Sequence, residues 1–167
     1  ASAPQSIFTM INDADMVFSD ITNEKGEKVP LTKGNYVSYL ESSNRSVRKE
    51  AFETLYDAYL KQENTLAATY AASVKKDVFY SQVRKFPSSL EQALDDDNIP
   101  VSVYDNLISA VNKNLHLMHR YVKLRKKMLG VDELHMYDLY APLVADSDKK
   151  INFEDAKATV LKALEPM

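Results

Sequence analysis

From Asn44 to Lys85 apolar residues return at spacings built from three and four, and no Gly or Pro interrupts them. Phe52, Leu55, Tyr59, Leu66, Tyr70, Val74 and Val78 carry that register. Such a pattern puts them on one face of an amphipathic helix, so a single long helix is predicted over about 44–85. Ser43 or Asn44 supplies its N-cap, and Asp57 with Lys61 makes an acid-first pair four residues apart on its surface. At 1.5 Å of rise per residue the helix would run to roughly 60 Å. A compact domain of this length is only about 40 Å across, so a helix of that reach suits a larger body.

The remaining pattern is shorter in period. After Pro4, the residues Ile7, Phe8, Met10 and Ile11 predict a first helix ending near Ala14. Val17, Phe18, Ile21, Val29 and Leu31 alternate around Glu24-Lys25-Gly26, which reads as a β-hairpin over about 17–31 with Gly26 at the positive-φ position of the turn. Thr32 is placed to cap a two-turn helix containing Tyr36, Val37, Tyr39 and Leu40. Pro87 closes the long helix, and a short helical piece at Leu90 to Leu94 precedes Asp95, Asp96 and Asp97. A second long helix is expected over about 102–129, capped at Ser102 with Asp105 as partner and ended by Gly130. Its apolar stripe is Val103, Leu107, Val111, Leu115, Met118, Val122 and Leu129. An aromatic segment, His135 to Pro142, and a polar turn at Asp146 to Lys150 lead to a last helix capped by Asn152 and Asp155, with Ala156, Val160 and Leu164 expected to be buried. The fold class is therefore mainly α: long antiparallel helices with one short hairpin near the N-terminus. Residues 1–98 form one helical lobe segment, and 99–167 hold the second long helix, the Tyr-rich loop and the C-terminal helix.

Composition narrows the chemistry. A net charge of −3 from 21 basic and 24 acidic residues gives no field that would draw nucleic acid or an acidic membrane surface. Zero cysteines exclude disulfides, thiolate metal sites and a cysteine nucleophile, and suit a reducing cytoplasm. Three glycines are too few for a Gly-rich phosphate cradle. No basic-then-apolar leader opens the chain, and no apolar run is long enough to span a bilayer.

His116 and His119 lie three apart on the second long helix and could share a metal, but a zinc site needs three or four ligands. The alternative is ordinary surface or packing histidines, and His135 stands alone. Asp95 to Asp97 lack the alternation, central Gly and terminal Glu of a calcium loop. Arg120, Lys123, Arg125, Lys126 and Lys127 form a basic cluster where cations oppose the negative end of the helix dipole. Tyr137, Asp138 and Tyr140 sit on a loop between two helices, a usual place for site residues as well as for structural ones. On residue chemistry alone no catalytic residue and no metal ligand is assigned.

The order of the elements adds a resemblance. IFTMINDADMVFSDI, then GEKVPLTKGNYVSYLESSNRSVRKEAFETLYDAYL, then RYVKLRKKMLGVDELHMYDLYAPL, then KINFEDAKATVLKALEPM resembles the middle of enzymes of the oligoendopeptidase F type, in the thimet-type family of zinc metallo-oligopeptidases. Its most specific pieces are Ala14-Asp15 with Phe18, the run from Asn44-Arg45 to Arg48, Ala51 and Phe52, and Tyr137-Asp138-Leu139-Tyr140 with Pro142.

The resemblance implies a mainly helical, two-lobed peptidase closing over a channel that admits short peptides, with zinc held by the histidines of HExxH and a later glutamate. It also implies that the motif glutamate is the general base toward zinc-bound water. No HExxH occurs in this sequence, so no residue here inherits a zinc-ligand or base role. The expectation is an internal segment of a zinc metalloendopeptidase, inactive alone, that forms scaffold and substrate-channel wall. Tyr137, Asp138 and Tyr140 would then be the residues nearest the substrate. Its partners would be oligopeptides and the catalytic domain of the same chain, with self-association as a further expectation; nucleic acid and membrane are not expected. The alternative is a stand-alone helical module that docks a peptide or partner helix.

Overall fold

The computed structural model describes residues 2–144 and 151–165, so the polar turn expected at 146–150 lies outside the described residues. The fold is mainly α with a two-stranded antiparallel sheet. Helix α1 (Ala3–Thr9) runs into a π-helical turn (Met10–Asp15), and β1 (Asp20–Thr22) pairs with β2 (Lys28–Pro30). Helices α2 (Lys33–Leu40), α3 (Arg45–Leu60), α4 (Glu63–Val83), α5 (Ser89–Asp95) and α6 (Val101–Leu129) follow. A 3-10 turn (Met136–Asp138) and α7 (Phe153–Leu164) complete the order.

The hairpin forms where the alternation predicts it, with Ile21 opposite Val29. Asn23 closes its turn by accepting the backbone N–H groups of Lys25 and Glu27 on Oδ1, at 2.9 and 3.0 Å, while Gly26 takes φ +80°. The strands are three residues each, and Val17, expected to face inward, lies before β1 and is largely exposed. Ile21 and Leu31 press onto Ala51 of α3, and Phe18, Val29, Tyr36, Tyr39 and Leu55 surround them. This small core joins the hairpin, α2 and α3. Thr32 caps α2 through a full capping box with Asn35, and Asn44 rather than Ser43 caps α3 by accepting from Ser46 N–H.

The single helix expected over 44–85 is two helices. After Leu60 the chain tightens, the Gln62 N–H donating to the Tyr59 carbonyl three residues back at 2.9 Å, before α4 starts at Glu63. The break lets α3 lie against α2 and the hairpin while α4 packs on α1. Tyr59 fixes the corner, its hydroxyl donating to Asn12 Oδ1 at 2.8 Å. Lys61 therefore sits past the end of α3 and makes no ion pair with Asp57; the pair formed on this helix is Lys49 with Glu53, at 3.7 Å.

Helix α4 stops before Pro87 acts. Lys85 takes φ +63°, its N–H donates to the Gln82 carbonyl and that of Phe86 to the Ser81 carbonyl, which is a Schellman ending built without glycine. Helix α6 begins at Val101 directly after Pro100, one residue earlier than expected, so Ser102 is not its cap. Its other end follows the prediction, with Gly130 at φ +62° and the Val131 N–H reaching the Lys126 carbonyl. Asn152 caps α7 by accepting from Asp155 N–H.

The apolar stripes of the later helices are uncovered among the described residues. Val103, Leu107 and Val111 of α6 are each more than half exposed, as are Val160 and Leu164 of α7, which were expected to be buried. No helix of the described residues is long and apolar enough to cross a membrane.

Candidate functional site

Two pieces that the sequence singled out separately meet in space. The Asn44 cap sets the first turn of α3 so that Arg45 and Arg48, three residues apart, face the segment 133–141 across a gap of some ninety residues of chain. Asp138, fully buried, receives both. Arg45 donates from Nε to Oδ1 at 3.1 Å and from Nη2 to Oδ2 at 2.9 Å, a two-pronged pair, and Arg48 Nη2 reaches Oδ1 at 2.9 Å. The His135 N–H donates to Oδ2 at 3.0 Å. Burial alone would raise the pKa of Asp138, but the Arg45, His135 and Arg48 donors outweigh it and hold the carboxyl well below the usual carboxylate range. The same hydrogen bond raises the pKa of Arg45.

The arginines also collect backbone carbonyls. Arg45 Nη2 donates to Glu133 O at 2.8 Å; Arg48 donates to Tyr137 O at 3.2 Å and to Ser42 O and Ser43 O at 2.8 and 3.1 Å. Arg125 of α6 comes from the other side, its Nη2 donating to Asp138 O at 2.9 Å and Ala141 O at 2.6 Å, and its Nη1 to the Tyr121 hydroxyl at 3.2 Å. Its Nε has no partner among the described residues. Two guanidinium groups thus share one carboxylate, and six main-chain carbonyls receive further donors of Arg45, Arg48 and Arg125. The arrangement ties α3, α6 and the 133–141 segment into one piece.

The sequence grouped Arg125 with the basic cluster that opposes the negative end of the helix dipole, and the structure separates it from that cluster by burying its side chain. A signal for it existed: Arg125 falls between Val122 and Leu129 at spacings of three and four, a cation in register with an apolar stripe. Of the three loop residues proposed from sequence, Tyr137 and Asp138 are buried and Tyr140 is 55% exposed. The Tyr137 ring stacks on His135 at 4.9 Å, meets the edge of Phe52 at 5.9 Å and has the Arg45 guanidinium 5.3 Å from its centre. Phe52 in turn lies 4.4 Å from Tyr56. Tyr36 of α2 packs on the core formed by Ile21, Leu31 and Ala51, and burial first, then the charges of the Tyr56 and Tyr140 phenols, push its hydroxyl up to about 12. Tyr36 and Tyr56 were not singled out from sequence, since at helical spacing they read as ordinary core positions.

The histidines do not fit a zinc site. His116 and His119 lie exposed along α6, with His116 Nδ1 3.0 Å from the Lys113 carbonyl, and no group of three or more His, Cys, Asp or Glu side chains converges among the described residues. Asp95 ends α5 and Asp96 and Asp97 follow it in the turn toward α6.

Residues 38–164 match the family described as Peptidase family M3. The chain is similar to Oligopeptidase PepF of Bacillus subtilis, 48% identical over 96% of this chain and 24% of that protein. An Oligoendopeptidase F homolog of Lactococcus lactis subsp. lactis is 41% identical over 92% of this chain and 25% of its own length. Among solved structures, oligoendopeptidase-F from Enterococcus faecium superposes with a TM-score of 0.86 at 43% identity, covering 98% of this chain and 30% of that one. A putative peptidase from Chlamydophila abortus gives 0.84 at 30% identity, over 99% and 27%. The chain spans about a quarter of the length of the curated relatives it matches.

Proposed function

The chain belongs to peptidase family M3, and from that membership we propose that it is part of a zinc metalloendopeptidase that hydrolyses short peptides, in which it supplies scaffold and substrate-channel wall rather than the catalytic groups. The observation that carries the proposal is the likeness to oligoendopeptidases along nearly the whole chain, combined with a sequence that holds no HExxH. Zinc would belong to the whole enzyme, and the side chains present here do not fit it. The apolar faces of α6 and α7 support a role as one wall of a larger body, since exposed stripes of that extent mark surfaces made to be covered. The absence of cysteine fits a cytoplasmic location, which we include in the proposal.

In this reading Tyr137, Asp138 and Tyr140 lie beside the substrate path. Asp138 acts by holding the loop and Tyr140 by presenting its ring and hydroxyl. The test is incubation of the chain with a bradykinin-like peptide and added zinc. No turnover is expected, and turnover above background that a chelator abolishes would overturn the non-catalytic role. In the intact peptidase, replacing Tyr140 by Ala should alter peptide kinetics, whereas unchanged kinetics at unchanged stability would remove Tyr140 from the path. The alternative, a stand-alone helical module, predicts a partner docked on α6 and no peptidase activity in any longer form of the chain.

A further inference from the structure

Helix α6 stands clear of the other described residues over most of its length: every residue from Ser102 to Tyr121 is exposed, and its two ends are held by α5 and by the Arg125 anchorage. The free part is not polar all round. Tyr104, Leu107, Ile108, Val111, Leu115 and Met118 return at three and four, so at 3.6 residues per turn they form one stripe. Each keeps between 39% and 63% of its surface in solvent. Beyond Met118 the same stripe continues through Val122, Arg125 and Leu129, which are buried or half-buried. The uncovered part therefore runs from Tyr104 to Met118, and Val111 is its midpoint. Charges along the helix are sorted by end. Arg120, Lys123, Lys126 and Lys127 crowd the C-terminal turns, whereas the other end carries Asp105 and follows the exposed Asp95, Asp96 and Asp97. The uncovered stripe itself bears no charge.

We propose that this face is covered by the same face of a second copy of the chain, the two α6 helices lying antiparallel about a two-fold axis at Val111. In that register Tyr104 meets Met118 and Leu107 meets Leu115, so apolar side chains face apolar side chains throughout. The acidic end of each helix also approaches the basic end of the other, whereas parallel helices would set two basic ends side by side. With the six side chains about half exposed, each copy gives up on the order of 500 Å² and the pair about 1,000 Å², the lower limit of a specific interface. Such an area supports a dissociation constant on the order of 10–100 μM. The chain is then a monomer at the low concentrations of a denaturation experiment and pairs above them. The proposal concerns a surface of this chain and does not rest on the peptidase reading.

Sedimentation equilibrium of the chain from about 1 to about 500 μM tests the pairing, and the mass should climb from 18.9 kDa toward twice that value. Val111→Glu sets two carboxylates against each other on the axis and should weaken association about tenfold or more. Its circular dichroism in dilute solution should stay unchanged, because Val111 is already exposed in the monomer. Lys113→Glu, on the opposite side of the helix, should leave association as it was. The chain has no cysteine, so single-cysteine variants read the register. Val111→Cys should form disulfide-linked dimers on mild oxidation, since this residue meets its own copy on the axis. Tyr104→Cys and Met118→Cys should each fail to link to themselves and should link to one another when mixed. A single species of monomer mass over the whole range overturns the proposal. So does association that Val111→Glu leaves intact, which would put the contact elsewhere. Self-linking of Tyr104→Cys as readily as Val111→Cys would make the helices parallel, and overturns it too.

Discussion

On α3, Val47 and Ala51 are buried against the hairpin and the 3-10 turn, and even Arg48 keeps only 3% of its surface. On α6, Val103, Leu107 and Val111 stand in an equally regular stripe and stay more than half exposed. The two helices differ in what surrounds them, since α3 lies against α2, β1 and the segment 136–138, whereas α6 touches the chain at its two ends, near α5 and through Arg125. An apolar stripe announces a face that needs a partner, and its position in the fold decides whether that partner is near. Around α3 the partner is polar as well as apolar: a buried carboxylate ringed by guanidinium groups and carbonyls.

The contrast is broken most strongly at Asp138. Asp138→Ala leaves the buried Arg48 and its neighbours without their anion, and should cost about 3–5 kcal/mol by urea denaturation, a large part of a total stability of roughly 5–15 kcal/mol. A loss under about 1 kcal/mol would mean that the carbonyls alone satisfy the arginines. Next in size is a paired measurement on the two helical regions. Ile21→Ala empties the core beside α3 and should cost about 2–5 kcal/mol, whereas Leu107→Ala on α6 should change the stability of this chain by less than about 0.5 kcal/mol. Repeating Leu107→Ala in the intact peptidase sharpens the point, because there a cost that climbs to about 2 kcal/mol or more would locate the covering surface. Equal costs at Ile21 and Leu107 in this chain would dissolve the comparison.

The smallest effect comes with acid. Asp138 has a folded pKa depressed below its ordinary value of 3.8, so the folded state binds its proton less readily than the unfolded chain does. Its stabilisation is complete above about pH 5 and drains away as pH falls through the unfolded value toward the folded one, the loss amounting to about 1 kcal/mol by pH 3. Urea titrations at pH 7, 5 and 3 should show a plateau between the first two and a drop at the third; a decline already complete by pH 5 would point to another group.

Much of the fold was legible because it is local. Thr32, Asn44 and Asn152 cap helices by bonding an N–H two or three residues on, and Gly26 and Gly130 take positive φ where a turn and a helix end require it. Such bonds join neighbours in the sequence, so spacing reveals them. The break after Leu60 and the Schellman ending at Lys85 carry no Gly or Pro and were therefore invisible in the pattern. Ser102, with the composition of a cap, lost that role to Pro100, whose extended backbone already starts α6.

The candidate site divides in the same way. Composition and spacing alone determined that this chain is helical, carries no HExxH and places Tyr137 and Tyr140 close together in the segment after α6. Tertiary structure alone decided that Asp138 belongs to Arg45 and Arg48, and that Arg125 is buried beneath the loop. A charge buried far from water must find its opposite wherever the chain brings one, and a partner some ninety residues away leaves no periodic trace. Local geometry repeats and can be counted along a sequence; pairing across the fold becomes visible only once the helices are in place.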